Sequence, residues 1–266
     1  IKPIISGNDT IAQAQSGTGK TGAFTISTLQ LIDTSIDSLQ AVIIAPTQEL
    51  SKQIYGVINQ FGEFMDDLRT KLLIGGTSVQ GDIDSINKSP PHVVVGCSGR
   101  IFDMIKRRHL QMHTVKLFVL DEADEMLSQG FMEQIHTIFN YFNENVQVAI
   151  FSATLPRDVL QLTDKFMKEP VNITMKREDL TLDGIEQYYV AMYSDNDKFS
   201  MLKDIFEKLT VSQSIIYTNN VKRVSHLYDA MIREGFPVCC IHSSMEKGER
   251  IKALDQFRAG KFRVLI

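Results

Sequence analysis

Apolar and polar residues alternate along this chain in blocks. Short apolar runs occupy 41–45 (AVIIA), 71–75 (KLLIG), 92–96 (HVVVG), 116–121 (KLFVLD) and 146–153 (VQVAIFSA). More follow at 186–193 (EQYYVAMY), 213–218 (QSIIYT), 237–242 (PVCCIH) and 262–266 (FRVLI). Most are continuous rather than alternating, which marks strands covered on both faces and hence parallel sheets. Helix-length patterns fill the gaps at 21–31, 48–65, 99–108, 130–142, 157–167, 196–209, 221–234 and 245–259. Strand and helix in turn predict repeated βαβ units, an α/β doubly wound design.

The blocks fall into two series separated near 176–185, a charged stretch with Gly184 towards its end. The expected layout is one domain over 1–175, a linker over 176–185 and a second domain over 186–266. The second series holds about four strands, so that domain is expected to be incomplete. The start without Met and the apolar finish at FRVLI read as cut ends.

Composition narrows the picture. Apolar residues make up 43% and charged residues 23%, and the net charge is −4. No overall basic field draws the chain to nucleic acid, so any such binding must be local. No run approaches the ~18 apolar residues of a membrane span, and no signal peptide is visible. Cys97, Cys239 and Cys240 are too few and too irregular for a disulfide framework or a zinc site and read as buried thiols. His113, His136 and His226 show no metal spacing. The Lys106–His109 cluster complements a helix C-terminus.

Ala14-Gln15-Ser16-Gly17-Thr18-Gly19-Lys20-Thr21 has the spacing of a phosphate-binding loop, with Ala in the first Gly position. Gly17 and Gly19 let successive N–H groups curl towards an anion, and the helix that follows adds its positive end. Lys20 is placed for the β- and γ-phosphates and the Thr21 hydroxyl for Mg²⁺. A second element supports this reading. Lys116–Asp124 puts Asp121 and Glu122 at the C-terminal end of a buried strand, where open α/β sheets hold ligands. Asp121 suits Mg²⁺, and Glu122 suits orienting and deprotonating a water. A nucleoside triphosphate with Mg²⁺, and phosphoryl transfer to water, follow.

The spelling Asp121-Glu122-Ala123-Asp124 resembles that of the DEAD-box RNA helicases, and most closely the eukaryotic initiation factor 4A group. IAQAQSGTGKT (11–21), GRIFDMI (99–105) and VLDEADEML (119–127) share the resemblance, which covers essentially the whole chain. It implies two tandem RecA-like (P-loop NTPase) domains with parallel sheets. Ser152-Ala153-Thr154 matches the motif that couples ATP state to strand separation through Asp124. Pro46, Thr47 and Gln48, then Gly75 and Gly76, then Gly99 and Arg100, fall at the family's RNA-binding positions. So do Asn219 and Arg250 in the second domain. The implied function is ATP-dependent local unwinding of RNA with little sequence preference, as a monomer. A scaffold protein of translation initiation is the implied partner, in the cytoplasm or, for the exon-junction relatives, the nucleus.

The departures from the family pattern concern RNA. Gln48 stands where the family has Arg, Cys97-Ser98 where it has Thr-Pro, Lys247 where it has Gln, and His242-Ser243-Ser244 where it has His-Gly-Asp. Each removes or alters a contact with phosphate or between domains. The adenine-reading motif is expected before Ile1 and the arginine finger beyond Ile266, so weak turnover is expected of the chain as given. An ATP-gated RNA clamp or scaffold-binding module is the alternative reading.

Overall fold

The computed structural model describes residues 1–15, 17–175, 185–195, 197–209 and 211–266. Ser16 and the expected linker over 176–184 lie outside the described residues. The chain divides into two compact units, Ile1–Ile185 and Glu186–Ile266.

In the first unit the strands are β1 (Thr10–Gln13), β2 (Ala41–Ile44), β3 (Thr70–Leu73), β4 (Val93–Gly96), β5 (Leu117–Leu120), β6 (Gln147–Ser152) and β7 (Val171–Ile173). Among the described residues they form one seven-stranded sheet in the order β3-β4-β2-β5-β6-β1-β7, paired in parallel throughout. The helices are α1 (Lys2–Ile5), α2 (Lys20–Leu31), α3 (Gln48–Phe61), α4 (Val79–Lys88), α5 (Ser98–Lys106), α6 (Ala123–Ser128), α7 (Met132–Phe139) and α8 (Arg157–Phe166).

Strands β2, β4 and β5 are buried at every residue, as their continuous apolar runs require. Period-two alternation sends Ile43, Val93 and Val119 to one face, against Ile4 of α1, Phe24 of α2 and Ile54 and Ile58 of α3. Val42, Ile44, Val94, Phe118 and Leu120 point to the other, against residues of α4 through α8 such as Ile83, Met104, Met126, Ile135 and Leu162.

The second unit holds α9 (Asp197–Lys208), β8 (Ser214–Ile215), α10 (Val221–Arg233), β9 (Val238–Cys239), α11 (Lys247–Arg258) and β10 (Val264–Leu265). Its described strands pair in parallel in the order β8-β10-β9. Val224 and Met231 of α10 pack on one face with Val238 and Val264. Phe257 of α11 packs on the other with Cys239 and Leu265.

One expected strand is corrected. Residues 186–193 form no strand, and Tyr188, Tyr189 and Tyr193 are exposed. Aromatic and β-branched residues favour a strand only where a partner and a packed face receive them, and this segment has no recorded ladder partner. Elements α1, β1, α4, α6 and β7 are not marked by the sequence pattern. Cys97, Cys239 and Cys240 are free thiols, Cys239 buried and the other two half-buried.

Candidate active site

The strand order decides what meets. β1, β5 and β6 are consecutive in the sheet, with Gln13 opposite Ser152 and Leu120 opposite Ile150. Their C-terminal ends therefore bring Ala14, Gln15, residues 17–21, 121–124 and 152–154 to one edge.

The loop after β1 starts in register, because the Ala14 N–H donates to Ser152 O at 3.1 Å. The Gln13 side chain reaches across to Ala153 O at 3.3 Å. Gly17 and Gly19 take φ of +82° and +94°, left-handed values that favour glycine. The Thr18 hydroxyl donates to Gln15 O at 2.7 Å and closes the turn. Helix α2 begins at Lys20, with Thr21 in its first turn, so its unpaired N–H groups face the loop. Lys20 is buried, and its Nζ lies 3.0 Å from Oε1 of Glu122.

Glu122 is itself in a left-handed conformation (φ +51°), a strained position for a side chain of its size. It caps α6 and turns the chain sharply after β5. Asp121 beside it is buried and accepts the Glu122 N–H at 3.0 Å. Burial, and then the neighbouring Glu122 carboxylate, push the Asp121 carboxyl up to about 6, against the pull of Lys20. A divalent cation reverses that balance, since it favours the ionised form. Among the described residues no group of three or more His, Cys, Asp or Glu side chains gathers to hold a metal. One buried acid, Asp121, and the helix-start hydroxyl of Thr21 suit Mg²⁺ instead, which keeps waters and takes oxygens from substrate phosphates.

Asp124 is held from β6. The Thr154 hydroxyl and N–H donate to its Oδ2 at 2.7 and 3.0 Å, and its own N–H donates to Ser152 Oγ at 3.2 Å. Burial works to raise its pKa, but the bonds from Thr154 and Ser152 outweigh it and leave the carboxyl lowered.

The expected RNA positions of the first unit also converge, at the ends of β2, β3 and β4. Thr47 caps α3 by accepting from the Leu50 N–H, and Pro46 precedes it. The amide of Gln48 lies 3.0 Å from where a Cβ on Gly75 would sit. Cys97 Sγ is 3.5 Å from Ser51 Oγ on α3, and Ser98 Oγ donates to Gln134 Oε1 on α7 at 2.6 Å. Gly76 has φ +81° in the turn after β3. Gly99 and Arg100 open α5. Arg100 points inward: it pairs with Asp82 on α4 and donates to Thr77 Oγ1 and Thr77 O, each at 2.9 Å. No motif spacing signals Asp82. In the second unit Asn219 follows β8 and Arg250 lies in the first turn of α11, both exposed.

The sequence profile described as DEAD/DEAH box helicase matches residues 1–162, and the helicase conserved C-terminal domain matches 197–266. The chain belongs to the DEAD/DEAH box helicase family. Over all 266 residues this DEAD-box chain is 48% identical to the ATP-dependent RNA helicase eIF4A of Aspergillus niger and 47% identical to that of Neurospora crassa, covering 66% of each. It thus spans about two thirds of the length of the curated relatives it matches. Among solved structures it resembles S. cerevisiae Dbp5 bound to RNA and ADP BeF3, with a TM-score of 0.83 and 30% identity over 97% of this chain and 65% of that one. A DEAD box protein from the hyperthermophile Methanococcus jannaschii matches with a TM-score of 0.62 and 31% identity, over 99% of this chain and 70% of that one. The expected fold, tandem RecA-like domains with parallel sheets, stands. Among the described residues no helix is long and apolar enough to cross a membrane.

Proposed function

We propose that the chain carries the ATP site and much of the RNA-gripping surface of an ATP-dependent RNA helicase of the initiation factor 4A type. The observation that carries this reading is the convergence of Lys20, Asp121 and Glu122 on one sheet edge, with Asp124 tied to Thr154 in the same site.

The loop over 14–19 and the start of α2 cradle the triphosphate with backbone N–H groups. Lys20 moves from Glu122 to the β- and γ-oxygens and offsets charge as the γ-phosphoryl departs. Asp121 and Thr21 would hold Mg²⁺, which would supply positive charge against the phosphates. Glu122, released from Lys20, accepts a proton from the attacking water. Asp124 reports the state of this site to Ser152 and Thr154 through the three bonds that join them. Pro46–Gln48, Gly75–Gly76 and Gly99–Arg100 form a sequence-indifferent grip on one RNA strand. Asn219 and Arg250 are the RNA contacts proposed for the second unit. A role in translation initiation fits the eIF4A name of the relatives. Work as a monomer with a scaffold protein, in the cytoplasm, belongs to the same proposal.

ATP hydrolysis measured with Mg²⁺, with and without single-stranded RNA, tests this. Weak turnover that RNA raises only modestly is expected of this chain, with clear binding of ATP and Mg²⁺. A chain that shows no thermal shift with ATP and Mg²⁺ has no such site. The altered positions Gln48, Cys97 and Ser98 lie together on the grip, which favours an ATP-gated clamp as the second reading. RNA binding that tightens with an ATP analogue, without duplex unwinding, would select it.

A further inference from the structure

Asp82 is nearly fully buried, and three cationic or hydroxyl groups from different elements converge on its carboxylate. Lys71 Nζ of β3 lies 3.1 Å from Oδ1, Arg100 Nη1 of α5 pairs with Oδ2, and the Thr77 hydroxyl is 3.2 Å from Oδ2. The Arg100 side chain is 9% exposed, and its other recorded partners are Thr77 Oγ1 and Thr77 O. The same two stretches touch further down, where the Cys97 N–H donates to Leu73 O at 3.0 Å. A guanidinium so enclosed could reach an RNA phosphate only by leaving a buried carboxylate with one cation fewer, an arrangement that strongly disfavours release.

We infer that Asp82 is a positioning residue for RNA binding. It holds Arg100 as an internal brace that fixes the Gly75–Thr77 turn against the start of α5. The RNA strand is then gripped by the backbone N–H groups of these two segments, and the Arg100 charge is spent inside the protein. This inference rests on the RNA-binding reading above.

The test is anisotropy of a labelled single-stranded oligouridylate with Mg²⁺ and ADP–beryllium fluoride, across a salt series. Asp82→Asn and Arg100→Gln should each weaken binding about tenfold. The double variant should be little worse than either single one. Asp82→Glu should restore most of the loss, and the slope of log K against log salt should stay that of the unsubstituted chain. A direct phosphate contact predicts otherwise. Arg100→Gln would then flatten the slope by about 0.7, and Asp82→Asn would leave binding unchanged or tighter; either result overturns the inference. Should Asp82→Asn fail to fold, the Arg100→Gln slope alone decides. An unsubstituted chain that binds no RNA overturns the RNA reading and this inference together. Intact binding that is indifferent to Asp82→Asn overturns the inference alone.

Discussion

Thr154 closes on Asp124 with two donors at once, its hydroxyl at 2.7 Å and its backbone N–H at 3.0 Å, both on Oδ2. Removing the hydroxyl in Thr154→Val leaves the N–H and takes the shorter bond. The site is partly solvated, so the expected loss is about 1 kcal/mol. Its pH dependence follows from the lowered Asp124 pKa. The contribution is complete above the unfolded carboxylate value of about 3.9 and disappears as pH falls through the folded value. Urea titrations should therefore separate the variant from the parent at pH 7 and bring them together in strong acid. ATP hydrolysis should persist in the variant while its coupling to RNA binding weakens.

Asp121 runs the other way. Its carboxyl titrates at about 6 in the fold and at about 3.9 unfolded. Between those values the folded chain holds more protons at this site, so the Asp121 contribution to stability is greatest at and below pH 4 and declines as pH rises to 6. The decline amounts to roughly 2–3 kcal/mol. Asp121→Asn should abolish this slope, raise stability at pH 7 by a similar amount and abolish turnover. Thermal melts from pH 4 to 8 check the first two, and an ATPase assay the third. A variant no more stable than the parent at pH 7 would show that Asp121 is not strained by its site.

Lys20 is the buried cation of the triphosphate loop, and its recorded partner is Glu122. In Lys20→Met the helix start and loop remain, but the charge is gone. At a nucleotide concentration 100-fold above Kd, ATP with Mg²⁺ should stabilise the parent by about 2.7 kcal/mol. The variant should show little of that shift at the same concentration.

Gln48 lies against Gly75 on the proposed RNA face. Gln48→Arg adds one cation there. Tighter RNA binding at low salt is expected, with a salt slope steeper by about 0.7. Affinity that rises without a change in slope would mean that the new side chain packs rather than meets phosphate.

Gly96 ends β4, where a Cβ would sit 2.0 Å from Leu73 O. Backbone, not a flexible side chain, occupies that space. Gly96→Ala should force β3 and β4 apart and cost about 3 kcal/mol in chemical denaturation. Because the same strands carry the RNA-gripping turns, RNA affinity should fall more than ATP affinity.

Much of this was legible in the sequence for a physical reason. Central strands such as VVV at 93–95 are buried on both faces and must read as apolar runs. The triphosphate loop needs its glycines at fixed spacing, and Asp121 and Glu122 must end a buried strand. What escaped notice was set by partners distant in sequence. β1 is only four residues long, with Thr10 and Gln13 at its ends, and is a strand because β6 and β7 flank it. Glu186–Tyr193 has strand-like residues but no recorded ladder. Asp82 looks like any acid in the first turn of a helix, and its role emerges only when Lys71 and Arg100 arrive from two other elements.

The pairing of Gln13 with Ser152 has a consequence for biosynthesis. The strand that launches the triphosphate loop emerges from the ribosome more than a hundred residues ahead of its ladder partner β6. Contacts so distant along the chain form late, because closing the intervening loop costs entropy before any pairing rewards it. Nucleotide can therefore support the nascent chain only after residue 152 has been made and docked. Until then β1 lacks both of its ladder partners, β6 and β7, and its ligand cannot stabilise it.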